Sequence, residues 1–276
     1  MQIISTFSEL RARLHGETSV AFVPTMGSLH EGHLNLMHRA SEYSSCVVAS
    51  IFVNPLQFGP GEDYDRYPRS IEQDRAMLQG KVDVLFAPSV AEMYPTQQTV
   101  FVEPPAIANV LEGAVRPGHF RGMATVVLKL LDIVQPQVAI FGKKDFQQLH
   151  IILRMVAELN LPVNVIGCET VRAEDGLALS TRNQYLSLAD RNEAPFMYRT
   201  LQQMRTAILR GERNFEQLQS KAVESLSSRG WRVDYIEVRN QSDLQPASPV
   251  QRDLMILAAA RLGNNRLIDN VEVSLA

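Results

Sequence analysis

Two histidines three residues apart, His30 and His33, lie in the stretch Pro24-Thr25-Met26-Gly27-Ser28-Leu29-His30-Glu31-Gly32-His33. The apolar run Val20-Ala21-Phe22-Val23 precedes it and a segment of helical character follows. A strand, a tight turn and a helix start in that order suit an anion, because the first amides of a helix lack intrahelical partners and the macrodipole is positive there. The spacing puts both imidazoles on one face of the first helical turn, and Gly32 lets a ligand come close to the main chain. Phosphate binding is one reading; a metal pair and two merely solvated histidines are the others. Gly27, the buried strand before it and the lack of a third ligand nearby favour a nucleotide over zinc.

Three further segments carry residue types fit for the same chemistry. In Asn54-Pro55-Leu56-Gln57-Phe58-Gly59, Gln57 offers an amide to a small polar ligand among apolar neighbours, or is an ordinary loop glutamine. In Phe141-Gly142-Lys143-Lys144-Asp145-Phe146-Gln147-Gln148, Lys144 can neutralise phosphate charge and Asp145 can hold Mg2+ directly or through water. Gln148, three residues on, faces the same side as Asp145. The plainer reading is a helix cap beside solvated lysines. In Gly176-Leu177-Ala178-Leu179-Ser180-Thr181-Arg182-Asn183, two hydroxyls and an arginine form a phosphate clamp on a loop able to close, although Arg182 could equally make a surface ion pair.

These segments need a frame. Cys46-Val47-Val48-Ala49-Ser50-Ile51-Phe52-Val53 reads as a strand buried on both faces, as in parallel sheets. With the first strand and the helix carrying Leu36, Ala40 and Tyr43 it makes a βαβ unit. A short helix after Ser70 running to Gln79, a strand at 82–87, a short strand Thr99-Val100-Phe101-Val102, a helix from Arg121 to Val134, a strand at 138–141, a helix from Asp145 to Leu159 and a strand at 163–168 follow. Strands alternating with helices predict an open parallel sheet covered on both faces, with ligands at the carboxyl ends of its strands. After Val171 the pattern changes to two helices, Ala189 to Leu209 and Phe215 to Ser227, and then alternating strands at 231–238, 254–261 and 266–273. The expected architecture is α/β: a Rossmann-like N-terminal domain, residues 1–175, and a smaller α+β C-terminal domain, residues 176–276.

Composition bounds the function. A chain of 276 residues with 45% hydrophobic and 21% charged residues can bury a sizeable core. Its net charge of -3 argues against a general nucleic-acid binder, so any anion site is local. No apolar stretch approaches the ~20 residues of a membrane span, and Met1-Gln2-Ile3-Ile4 does not open a signal sequence, which makes the cytoplasm the expected location. Cys46 and Cys168, each in an apolar run, read as buried thiols.

Taken in order, the four segments resemble the pantoate–β-alanine ligase family, the pantothenate synthetases. Pro117-Gly118-His119-Phe120-Arg121-Gly122, Thr125-Val126-Val127-Leu128-Lys129-Leu130 and Arg266-Leu267-Ile268-Asp269-Asn270 add to the resemblance, which covers nearly the whole chain. The first block is similar to the His-Ile-Gly-His signature of the adenylyl-transferring superfamily, with Glu31 in place of isoleucine.

The resemblance implies ATP-dependent condensation of (R)-pantoate with β-alanine through a pantoyl adenylate, with Mg2+, in a homodimer. It assigns Met26, Gly27, Ser28, Leu29, His30, Glu31, Gly32 and His33 to ATP, with His33 as proton donor. Gln57 and Gln148 match pantoate-binding positions, Gln57 also lying near β-alanine. Gly142, Lys143, Lys144, Asp145, Val171, Leu179, Ser180, Thr181 and Arg182 match the remaining ATP contacts. His30, His33, Lys144 and Arg182 form the expected catalytic set, with Asp145 the metal ligand. Two departures stand out: Lys143 replaces the family's usual glutamate, reversing a charge beside the phosphates, and Thr181 replaces serine. The alternatives are another nucleotidyltransferase of the superfamily and a catalytically silent ATP-binding regulator.

Overall fold

The computed structural model describes residues 1–275. The chain divides into two compact units, Met1–Lys143 with Gln148–Glu169, and Lys144–Gln147 with Thr170–Ala276.

The first unit runs β1 (Gln2–Ile4), α1 (Phe7–Leu14), β2 (Val20–Thr25), α2 (Glu31–Ser41), β3 (Cys46–Ile51), α3 (Ile71–Leu78), β4 (Val84–Phe86), α4 (Val90–Met93), α5 (Glu112–Val115), α6 (His119–Val134), β5 (Val138–Gly142), α7 (Phe146–Glu158) and β6 (Asn164–Cys168). Residues 146 and 147 of α7 cluster with the second unit. All six strands are parallel, in the order β1-β4-β3-β2-β5-β6. Their apolar runs follow from burial on both faces. Ala21, Val23, Val47, Ala49 and Ile140 pack with Met37 and Ala40 of α2. Phe120, Met123 and Leu130 of α6 are also buried.

The strand order reverses between β2 and β5. Such a switch point opens a crevice at the carboxyl ends of the strands, and the turns after β2 and β5 leave from its two sides.

The second unit holds α8 (Leu188–Glu193), α9 (Pro195–Leu209), α10 (Phe215–Ser227) and the antiparallel sheet β7 (Arg232–Asn240), β8 (Asp253–Leu262), β9 (Asn265–Ser274), in the order β7-β8-β9. Leu201, Met204, Ile208, Leu226, Trp231 and Ile256 form its core.

Four sequence expectations are corrected. Residues 99–102 form no strand: the Val102 amide donates to Thr125 Oγ1 at 3.0 Å and Phe101 lies 4.0 Å beneath the Arg121 guanidinium, so α6 side chains hold this segment. The helix expected over 189–209 is two, because Pro195 starts α9 and cannot continue the hydrogen-bond ladder of α8. The helix expected from Asp145 begins at Phe146, after a 3-10 turn over Lys143–Asp145. The helix expected from Arg121 starts at His119. β1 and α1 went unanticipated; three strand residues and a helix of only eight give little periodicity to detect.

Candidate active site

The two histidines cap α2 reciprocally. His30 is the N-cap residue and its Nδ1 accepts the Gly32 N–H at 3.1 Å; His33 Nδ1 accepts the His30 N–H at 3.2 Å. This is a capping box built from imidazoles. His30 therefore precedes the helix, a correction to the shared helical face expected of the pair. The rings nevertheless meet, with centroids 4.1 Å apart, since both reach back to one helix start. With Nδ1 an acceptor in both, each neutral ring carries its proton on Nε2, the nitrogen turned away from the cap.

The turn before α2 departs further from expectation. Ser28 and Leu29 N–H donate to Asp74 Oδ2 and Oδ1, both at 2.8 Å, and Gly27 N–H to Thr25 Oγ1 at 3.2 Å. These three amides already have protein acceptors. Gly27 is required: φ is +85°, and a Cβ would lie 2.9 Å from Ile51 Cγ2 and 3.1 Å from Asp74 Oδ2. Ser28 also adopts a left-handed φ of 51°. Met26, Ser28, Gly32 and His33 are half-buried, Leu29 is buried and Glu31 is exposed.

Gln57 ends a 3-10 turn over Pro55–Gln57, capped by the Asn54 side chain and started by Pro55. Asn54 Nδ2 donates to Gln57 Oε1 at 3.1 Å and to the Gly122 carbonyl at 3.1 Å, while Tyr94 donates its hydroxyl to Asn54 Oδ1 at 2.7 Å. Burial raises the Tyr94 pKa, which keeps that hydroxyl a donor. Gln57 Oε1 is thus the acceptor, and Nε2 donates to Met26 Sδ at 3.2 Å within a buried side chain. The turn sits directly on α6 at Gly122, where a Cβ would fall 2.0 Å from the Leu56 oxygen.

At the end of β5, Lys143 pairs with Glu169. The charge reversal at this position is answered by a neighbouring carboxylate. Gln148, also of the first unit, is half-buried on α7. Lys144 and Asp145 belong to the second unit. Lys144 Nζ is 4.0 Å from Asp145 Oδ2, the Asp145 side chain is half exposed, and Asn270 Nδ2 donates to the Lys144 carbonyl at 2.8 Å.

In the second unit, the Leu179 N–H donates to the Val171 carbonyl at 3.0 Å across a small hairpin. Ser180 Oγ caps the next 3-10 turn, accepting the Arg182 N–H at 3.3 Å, and Thr181 and Arg182 follow within it. Arg172 braces the hairpin, reaching both oxygens of the buried Asp269 at 2.7 and 2.8 Å and stacking 3.7 Å over Tyr198. The first unit therefore gathers Met26–His33 with Gln57. The second gathers Lys144 with Asp145, and Val171 with Leu179–Arg182.

A family model described as pantoate-beta-alanine ligase matches residues 2–272. The chain belongs to the pantoate–β-alanine ligase family. Pantothenate synthetase of Chromobacterium violaceum is 54% identical over 275 residues, 99% of each chain, and that of Nitrosospira multiformis 53% over 275 residues, again 99% of each. The crystal structure of pantothenate synthetase from Thermus thermophilus has a TM-score of 0.95 and 50% identity, with 99% of this chain and 100% of that one covered. A pantoate-β-alanine ligase from Francisella tularensis, complexed with beta-gamma ATP and β-alanine, has a TM-score of 0.81 and 37% identity, covering 98% and 97%. These family structures share the parallel sheet and the small antiparallel sheet described above.

Sequence reasoning assigned no role to Asp74, 1% exposed, or to Asn270, 7% exposed. Asp74 shares a face of α3 with buried Leu78, one turn on, and an acid within a buried helical stripe is the signal that marks it. Nothing local marks Asn270, because its partner lies 126 residues away.

Proposed function

We propose that the chain joins (R)-pantoate to β-alanine at the expense of ATP, through a pantoyl adenylate, releasing AMP and pyrophosphate. Family membership over nearly its whole length supports this, as does the Francisella relative complexed with β-alanine and beta-gamma ATP. The observation that carries it is the pair of imidazoles whose Nδ1 atoms cap α2 and whose rings lie 4.1 Å apart at the helix start that follows β2.

A free carboxylate is a poor acyl donor and must first be activated. The pantoate carboxylate, held by Gln57 and by Gln148, attacks the α-phosphorus in line and pyrophosphate leaves. The histidine Nε2–H groups, Lys144 and Arg182 stabilise the charge that grows on phosphate oxygens. The neutral amine of β-alanine then attacks the acyl carbon, and AMP departs.

Asp145 fits Mg2+, which keeps several waters and phosphate oxygens and takes only one or two carboxylates. Among the described residues no group of three His, Cys, Asp or Glu side chains forms a metal cage. Mg2+ would neutralise phosphate charge beside Lys144. The resemblance also supports a cytoplasmic homodimer, whose mass light scattering would read; no described helix is long and apolar enough to cross a membrane.

The test is exchange of labelled pyrophosphate into ATP. Exchange should require pantoate, and AMP should accumulate only when β-alanine is added. Exchange without pantoate, or none at all, would refute the proposal.

A further inference from the structure

We infer that Arg116 and His119 are positioning residues for the hydroxy-acid subsite, which they set by clamping the main chain of Gln57. The inference rests on the proposed role of Gln57 in holding pantoate.

His119 opens α6 and is 8% exposed. Its Nδ1 lies 2.9 Å from the Gln57 carbonyl oxygen, which can only accept, so Nδ1 carries the proton. Its Nε2 lies 3.2 Å from Arg116 Nη1, which can only donate, so Nε2 holds a lone pair. The two partners select one neutral tautomer. Protonation would turn an N–H toward the guanidinium; burial first, and then the Arg116 charge, push the His119 pKa down to about 4, against the Gln57 carbonyl, Glu112 and Glu62.

Arg116 completes the clamp. Its Nη2 donates to the same Gln57 carbonyl at 3.3 Å, while Nε and Nη2 reach Glu62 at 2.8 and 2.6 Å. Its Nη1 also lies 3.5 Å from Glu112. Burial raises the Glu62 pKa, but the hydrogen bonds and charge of Arg116 outweigh it and leave that carboxyl below its ordinary value.

Two donors on one carbonyl fix the peptide plane that follows the Gln57 Cα. Asn54 holds the other end of the residue at Oε1. The 3-10 turn itself supplies the grip at the side chain, and α6 with its preceding turn supplies the grip at the main chain. Releasing the second lets the amide move relative to a substrate, and misplacement by about 1 Å can cost about 10²-fold in rate.

Steady-state kinetics on the full chain test this, varying pantoate and ATP separately. His119→Leu and Arg116→Met should raise KM for pantoate about tenfold while KM for ATP changes less than about twofold. His119→Asn, which restores an amide N–H near the place of Nδ1–H, should recover most of the loss. Unchanged KM for pantoate in a folded His119→Leu, a parallel rise in both KM values, or no recovery in His119→Asn would overturn the inference. Should His119→Leu not fold, Glu62→Gln at the solvent side of the network carries the test, with a selective rise in KM for pantoate expected and no rise overturning. Gln57→Ala separates the two readings. If it leaves KM for pantoate unchanged the subsite assignment fails; if only Gln57→Ala raises it, the clamp alone fails.

Discussion

Each histidine of the α2 cap commits Nδ1 to the helix start and, in the proposed mechanism, Nε2 to the phosphates, and mutation can separate the two. Asparagine is among the best N-cap residues, so His30→Asn should keep the melting temperature while losing Nε2–H. Deleting a preorganised donor typically costs about 2.7 to 4 kcal/mol, or about 10² to 10³ in rate. Pantoate-dependent exchange should fall by that factor in His30→Asn, His33→Ala and Lys144→Ala, and His33→Ala should also lose about 1 kcal/mol of stability with its cap. Losses below about fivefold in folded protein would remove the residue concerned from the chemistry. His119 gives a prediction with a sign. Its pKa falls from 6.5 to about 4 on folding, so stability is present above pH 6.5 and is lost as pH drops toward 4. The span is worth roughly 3 kcal/mol, and denaturant titrations between pH 7 and 4 should show a shallower loss in His119→Asn.

At the scale of elements, the 3-10 turn carrying Gln57 and the start of α6 behave as one piece because Gly122 has no side chain. Gly122→Ala would drive a Cβ to 2.0 Å from the Leu56 oxygen and 2.7 Å from the Gln57 nitrogen, so the turn must lift. The expected result is a destabilisation of about 1 to 3 kcal/mol with a higher KM for pantoate, read by chemical denaturation and initial rates. The same contrast explains what a reader of the sequence can and cannot see. Cys46–Ile51 announces a buried strand by its own composition, and Gly27 and the histidines announce a turn into a helix by theirs. Asp74 meets Ser28 across 46 residues and Arg116 meets Glu62 across 54, and neither pairing leaves a local trace. The error at residues 99–102 has the same root: an apolar run of strand-forming residues was bound instead by Thr125 and Arg121 of a helix. The roles proposed for Gln148, Val171 and Leu179 come from family resemblance, since spacing alone does not suggest them.

At the scale of the molecule, the second unit contains a largely buried ion pair, Arg172 with Asp269. Asp269→Ala would leave the Arg172 guanidinium, 17% exposed, without its bidentate partner. Breaking a buried pair costs about 3 to 5 kcal/mol. Hydrogen exchange should quicken across β9 and residues 171–179 while the parallel sheet keeps its protection; uniform quickening would show that the two units unfold together. The carboxylate of Asp74, locked behind the turn at residues 27–29, has a consequence for life in a crowded cell. A bare nest of amides traps any passing oxyanion. Here a tethered side chain already occupies two of the amides, so a sulfate or orthophosphate would have to displace Asp74 before it could use them.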